Sequence, residues 1–262
     1  MNQAMIQVRH DSRGGSRVAF VVIDNAAKLN VLSARVKEDF LAAMTALSLD
    51  ETLRAVVLAG AGERAFIGGA DIDEMGAIAS PDQARAFIST VHACCAAVRD
   101  MPVPVIAMIH GWCLGAGLEV AAACDLRLAD TSARFGMPEV KLGIPSVVEA
   151  ALLPGLIGWG RTRELLMFGE IINARRAYEI GLVDELVEPG ALEGAVEARL
   201  QALLTSKPRA VRLQKALIRR WEALPLSEAI ATGIESFADA FRTSEPTEAM
   251  AEFRKARAAR RS

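Results

Sequence analysis

The sequence predicts an α/β fold. Strands alternate with helices through about residue 187, and the last quarter of the chain is helical throughout. The strands are short β-branched runs, and the helices carry apolar residues at helical spacing.

The segment RVAFVVID (17–24) reads as the first strand and NAAKLNVLS as a loop after it. Ser33 stands where a cap is needed for the helix beginning ARVKEDFLAAMTALSL. RAVVLAG (54–60) is a second, buried strand, closed by Gly60 and Gly62, and ERAFIGGADIDEM follows as a glycine-rich turn. Pro81 opens a helix over 82–100. VPVIAMIH (103–110) is a third strand, leading into a small-residue turn and a short helix. DLRLAD and ARFGM read as strands, and GLVDELV (181–187) as a short one. Leu213, Ala216, Leu217 and Ile218 mark an apolar helical face in the last quarter. The expected division is a core over 1–200 and a docked helical extension over 201–262, with no close sequence repeat.

Composition excludes several classes. Thirty basic and 32 acidic residues nearly cancel, so no global field points to nucleic acid. The one local exception is the basic tail RKARAARR (254–261). The N-terminus lacks the apolar core of a signal peptide. The apolar stretch 103–126 is broken by Pro104, His110, Gly111, Glu119 and Asp125, which argues for a globular core over a membrane span. Cys94, Cys95, Cys113 and Cys124 form no CxxC pair, and His10, His92 and His110 have no metal-ligand spacing. Free, buried thiols in a reducing cytoplasm and no metal are expected.

Two small-residue turns each follow a strand: IGGAD (67–71) and LGAGLE (114–119). Neither is a P-loop or a GxGxxG turn. A strand–turn–helix junction leaves backbone N–H groups free at the helix start, where the dipole favours negative charge. Two such turns brought together supply two donors to one oxyanion; on spacing alone a purely structural junction is the more frequent case. Glu119 adds chemistry. It lies three residues after Ala116 at the head of an apolar helix, where an unpaired carboxylate is costly. The plainer reading is an acid stabilised by the helix dipole. Glu139, in the loop RFGMPEVKLGIPS, is a second acid, with Pro138 restricting Met137 to extended backbone. Taken alone an acid in a loop is solvated. Two converging carboxylates raise the apparent pKa of the pair, leaving one general acid and one general base.

AFIGGADIDEM (65–75), IHGWCLGAGLEVAAACDLRLA (109–129), FGMPEVKLGIP (135–145) and GEIINARRAYEIGLVDELV (169–187) occur in an order and spacing that resemble the enoyl-CoA hydratase/isomerase (crotonase) superfamily over nearly the whole chain. Among its members the chain is most similar to the two-glutamate enoyl-CoA hydratases. The resemblance implies a crotonase-like spiral of ββα units, with a C-terminal helical region used in assembly of a trimer or a dimer of trimers. It implies an acyl-CoA substrate, coenzyme A being part of that substrate and no separate cofactor being needed. The oxyanion donors would be the N–H groups of Ala70 and Ala116. Glu119 would activate water for attack at C3 of a 2-enoyl-CoA, and Glu139 would protonate C2. Coenzyme A contacts carry over to Ala26, Lys28 and Leu29, to Ala70, Asp71, Ile72 and Asp73, and near the C-terminus to Phe253, with Lys255 or Arg257 replacing a lysine found at the position of Ala256. A solvated basic helix end is the plainer reading of that last segment.

The chain departs from the pattern at PSVVEAALLP (145–154), where hydratases carry PGAGG. Val147 and Val148 would narrow the acyl pocket. Glu149 is expected in the first turn of a helix, with a third acid of the site as the alternative. This rebuilt segment keeps an isomerase, thioester hydrolase or C–C lyase as alternative reactions, and the basic tail keeps a nucleic-acid-binding or scaffold protein as a third. Tyr178, Trp159 and Trp221 are expected to be packing residues, His110 a satisfied core or loop histidine, and Asp71 a residue that holds its loop.

Overall fold

The structure, a computed structural model, describes residues 5–13 and 15–259. It opens with an antiparallel pair, β1 (Ile6–Arg13) and β2 (Ser16–Ile23). The sequence reading has no strand at β1 because its residues, IQVRHDSR, are mostly exposed at a sheet edge and carry little apolar signal. Helix α1 (Ala34–Ser48) starts where Ser33 predicts, the serine Oγ accepting a hydrogen bond from the Val36 amide at 3.4 Å. Next come β3 (Leu53–Gly60), buried at all eight positions, and β4 (Ala65–Ile67). The glycine-rich turn after β4 leads into α2 (Ile72–Gly76), and Ser80 caps α3 (Pro81–Arg99).

The same order of elements then recurs. β5 (Val105–Ile109), β6 (Trp112–Leu114) and α4 (Ala116–Ala123) form one unit. β7 (Leu126–Asp130) and β8 (Arg134–Gly136) form the next, followed by two 3-10 turns, Pro138–Leu142 and Val148–Leu152, and by α5 (Leu153–Phe168). β3, β5 and β7 are parallel neighbours in a six-stranded sheet, while β4, β6 and β8 are parallel neighbours in a second sheet of four. Each ββα unit thus places one strand in each sheet, which is the spiral that the resemblance implies. The large sheet runs β1-β2-β3-β5-β7 and ends on β10 (Glu185–Val187); the small one ends on β9 (Ile172–Asn173), which precedes α6 (Ala174–Glu179). Phe40, Phe66 and Phe135 are fully buried in the core of this region.

Two compact units divide the chain, Met1–Ala198 and Arg199–Ser262, with the boundary inside α7 (Leu192–Leu204). In the second unit α8 (Pro208–Trp221) packs on α9 (Leu226–Ala240), and the Trp221 indole N–H donates to the Ala229 carbonyl at 2.8 Å. α10 (Glu245–Ala259) is tied to the start of the unit by a Lys207–Glu252 ion pair of 2.6 Å. Among the described residues no helix is long and apolar enough to cross a membrane. Trp159 and Tyr178 have large exposed surfaces, which corrects their expected packing roles, whereas Trp221, though partly exposed, does pack α8 on α9 through its indole. Apolar character sets what a side chain gains by burial, not whether a fold provides the neighbours.

One close approach positions the site. A Cβ on Gly117, in the first turn of α4, would fall on the backbone carbonyl of Ile67 at the end of β4. Only glycine lets the helix start this near the strand. Gly117→Ala should therefore lower stability by more than about 2 kcal/mol, because rigid backbone must move. Gly155→Ala in α5 meets nothing within 4 Å and should be neutral or stabilising by up to about 1 kcal/mol. Denaturant midpoints of the two variants check the contrast.

Candidate active site

The ends of β4 and β6 carry the two small-residue turns, and their approach lines a cavity of about 180 Å³ with Ala70 and Ala116. Ala116 is the first residue of α4 and its amide has no intrahelical acceptor. Ala70 follows Gly69, whose carbonyl accepts from the Leu32 amide at 2.8 Å, while among the described residues the Ala70 amide donates to no backbone group. Two donors of the kind an oxyanion needs thus border one space.

Both acids border it too. Glu119 lies one turn into α4 and is 4% exposed. Burial raises its pKa to about 8; the nearby Glu139 carboxylate adds to this, hydrogen bonding from the Ala150 and Val147 amides opposes it, and Glu149 contributes a further push upward. Every residue of α4 is buried, so the apolar run behind Glu119 is the packing that removes its water. Glu139 stands across the cavity in the first turn of the 3-10 segment Pro138–Leu142. The Ser146 hydroxyl donates to its Oε2 at 2.7 Å. Gly115, at φ +51°, makes room for it: a Cβ there would lie 2.5 Å from Glu139 Oε1. The sequence reading missed Ser146 as a partner, although it stands in the segment singled out as unusual.

That segment, 145–154, forms part of the floor of the site. Val147 lines the cavity with Phe87, Ile88 and Val91 of α3. Val148 has φ +40°, rare for a β-branched residue, so the packing around it holds the turn that carries the Val147 and Ala150 amides against strain. Glu149 does occupy the first turn of a helix, as expected, but it is not a solvated partner of the dipole. It is 4% exposed, and its Oε1 lies 2.9 Å from His92 Nδ1. His110 departs from expectation as well, since its Nε2 is buried with no hydrogen-bond partner among the described residues.

The residues assigned to the nucleotide side fall into two groups. Ala26–Lys28 form a 3-10 turn ended by Leu29 in the left-handed region. The Leu29 carbonyl accepts from the Gly68 amide at 2.8 Å, so this turn borders the 67–71 turn. Lys28 Nζ lies 3.7 Å from Asp71 and 3.8 Å from Asp73. Asp71 accepts from the Asp73 and Glu74 amides as the cap of α2, so its side chain holds the loop. Ile72 is exposed and lines the cavity beside Ala70. Asn30, which the sequence reading passed over, anchors the whole edge: fully buried, it donates to the carbonyls of Ala61 and Ala65 and accepts from the Asn25 amide. Phe253 and Lys255 lie, exposed, on α10 in the C-terminal unit. Among the described residues no group of His, Cys, Asp or Glu gathers to hold a metal.

A ββα spiral with two amides and two carboxylates around one cavity defines a class of fold and site. Residues 13–260 match the enoyl-CoA hydratase/isomerase family, and the chain belongs to it. It is 34% identical to the short-chain-enoyl-CoA hydratase of Clostridium acetobutylicum over 238 residues, 90% of this chain and 91% of the relative. It is 33% identical to the crotonyl-CoA hydratase of Syntrophomonas wolfei over the same shares. The crystal structure of an enoyl-CoA hydratase from Bacillus anthracis superposes with a TM-score of 0.89 at 31% identity, covering 96% of each chain.

The raised Glu119 pKa has a consequence for stability. Below about pH 4.5 both folded and unfolded chains hold the proton. Between 4.5 and about 8 only the folded chain does, so stability falls as pH rises through this window, by up to about 1.4 kcal/mol per unit. Glu119→Gln removes the penalty. Its melting temperature should exceed that of the parent at pH 8, and the gap should close towards pH 4.5 in calorimetric scans.

Proposed function

We propose that the protein hydrates a 2-enoyl-CoA thioester to a 3-hydroxyacyl-CoA. The observation that carries this reading is the cavity shared by Ala70, Ala116, Glu119 and Glu139. The thioester oxygen takes the negative charge of the enolate between the Ala70 and Ala116 amides; losing one such donor costs about 10²–10³ in rate. Glu119 takes a proton from water as its oxygen attacks C3, and Glu139 gives a proton to C2. Burial suits Glu119 to the role, because a base whose pKa lies near the working pH is stronger than a solvated carboxylate and still ionises. No separate cofactor is required, since addition of water moves no electrons to an acceptor.

Several further features belong to the same proposal. A cavity of about 180 Å³ lies well below the ~300–1,000 Å³ of pockets for larger ligands, which supports a short acyl group closed in by Val147. Ala26, Lys28, Leu29 and the 70–73 turn form the nucleotide side, with Phe253 and Lys255 as contacts to coenzyme A of a neighbouring subunit. Ile230, Ile234, Phe237 and Phe253 are exposed apolar residues of the C-terminal unit, which supports assembly as a homotrimer or a dimer of trimers. The four cysteines are free and buried, in keeping with a reducing cytoplasm.

A second reading exchanges the acids. The pKa of about 8 keeps the proton on Glu119 at neutral pH, which favours Glu119 as donor to C2 and Glu139 as the group that takes the proton of water. Hydration of crotonyl-CoA, followed by loss of enoyl-thioester absorbance, tests both. With Glu119 as base, kcat/KM rises with pH to an inflection near 8; a fall through that inflection selects the exchanged roles. Glu119→Gln and Glu139→Gln should each lose at least about 10²-fold in kcat while still binding the thioester. No turnover on any short 2-enoyl-CoA would contradict hydration, and product masses would then separate isomerisation, hydrolysis and C–C cleavage.

A further inference from the structure

One carboxyl group of the cavity is tied at a single oxygen. Glu139 stands half-buried in the 3-10 turn Pro138–Leu142, and its Oε2 accepts from the Ser146 hydroxyl at 2.7 Å. Among the described residues no other hydrogen bond or ion pair reaches this side chain. The bond joins two ends of one loop, which is closed as well by the Ile144 amide donating to the Glu139 carbonyl at 3.2 Å. Serine and acid are thus held on the same piece of backbone.

The other oxygen has different surroundings. Oε1 lies against Gly115, where a Cβ would stand 2.5 Å from it. Gly115 immediately precedes Ala116, and both line the cavity, whereas Ser146 does not. Oε1 is therefore on the cavity side of the carboxyl group and Oε2 on the loop side. The last torsion of a glutamate is broad and two-fold, so its oxygens exchange places unless one is tied. A serine hydroxyl has one proton to donate. With that proton aimed at Oε2, any proton carried by the carboxyl group itself sits on Oε1.

We propose that Ser146 is a positioning residue for the reaction: its hydroxyl ties Oε2 of Glu139 and leaves Oε1, beside Gly115 and the Ala116 amide, as the oxygen that moves a proton. The inference rests on the hydratase reading. It holds whether Glu139 gives a proton to C2 or takes one from water, since either transfer needs an oxygen fixed relative to the bound thioester. It also gives a use to the first residue of the rebuilt stretch after Pro145.

Crotonyl-CoA hydration by full-length Ser146→Ala and Ser146→Thr, together with crystal structures of the parent and Ser146→Ala, tests the proposal. Ser146→Ala removes one half-buried oxygen. It should lose about 10- to 100-fold in kcat, the scale of loss for a reacting group misplaced by about 1 Å, with KM within about threefold of the parent. Ser146→Thr keeps the hydroxyl and should restore kcat to within about threefold. In the Ser146→Ala crystal the Glu139 carboxyl group should be rotated or occupy two positions, with the Ala70 and Ala116 turns unmoved. A kcat for Ser146→Ala within about twofold of the parent, a loss expressed in KM alone, or a threonine variant no better than alanine overturns the proposal. So does a Glu139 carboxyl group that keeps its place without the hydroxyl. No turnover by the parent would contradict the hydratase reading instead, and the two crystal structures would still decide whether the serine holds the acid.

Discussion

The site depends on how closely α4 approaches the end of β4. Gly117 sits against the Ile67 carbonyl, with no room for a Cβ. That contact fixes the start of α4 beside the 67–71 turn, and the amides of Ala116 and Ala70 then border one cavity. Each lies at a chain reversal where the backbone leaves a donor unused. The parallel pairing of β4 with β6 and of β3 with β5 holds the two reversals side by side. The ββα repeat thus sets the geometry of the cavity: equivalent turns of successive units present equivalent amides.

Packing that brings the donors together also removes water from the acids. α4 is buried along its length, so Glu119 enters the cavity from an apolar wall and holds its proton to about pH 8. Glu139 comes from an irregular loop, where the absent Cβ of Gly115 and the Ser146 hydroxyl fix its place. The two acids differ in environment, and under the proposed mechanism that difference would let one take a proton as the other gives one. The 145–154 segment serves both, with Ser146 on Glu139, the Val147 and Ala150 amides on Glu119, and Glu149 behind.

Much of this is legible in the sequence, for physical reasons. β3 and β5 are largely apolar runs buried in a parallel sheet, and α1 and α3 declare themselves by Ser33 and Pro81. The two turns and the misplaced acid of α4 mark the cavity, and four motifs in order mark the family. The small sheet is harder to see, since β4, β6 and β8 are three residues each, too short for a period. The ββα repeat leaves no sequence repeat, because packing constrains the size and polarity of side chains rather than their identity. Asn30 and His92 escape notice for a related reason: each acts on residues far along the chain, Asn30 on Ala61 and Ala65, His92 on Glu149. Glu149 was placed on the right element, yet its burial depends on α3 and α4 arriving together.

The central claim is that the Ala70 and Ala116 amides together hold a thioester oxygen. Amide chemical shifts of both residues, measured on adding a short acyl-CoA thioester and then its thioether counterpart, test it most directly. The two ligands are alike except for the carbonyl oxygen. Large downfield shifts of both amides with the thioester, and small ones with the thioether, are the predicted result. Equal shifts with the two ligands, or a response from one amide alone, would contradict the account.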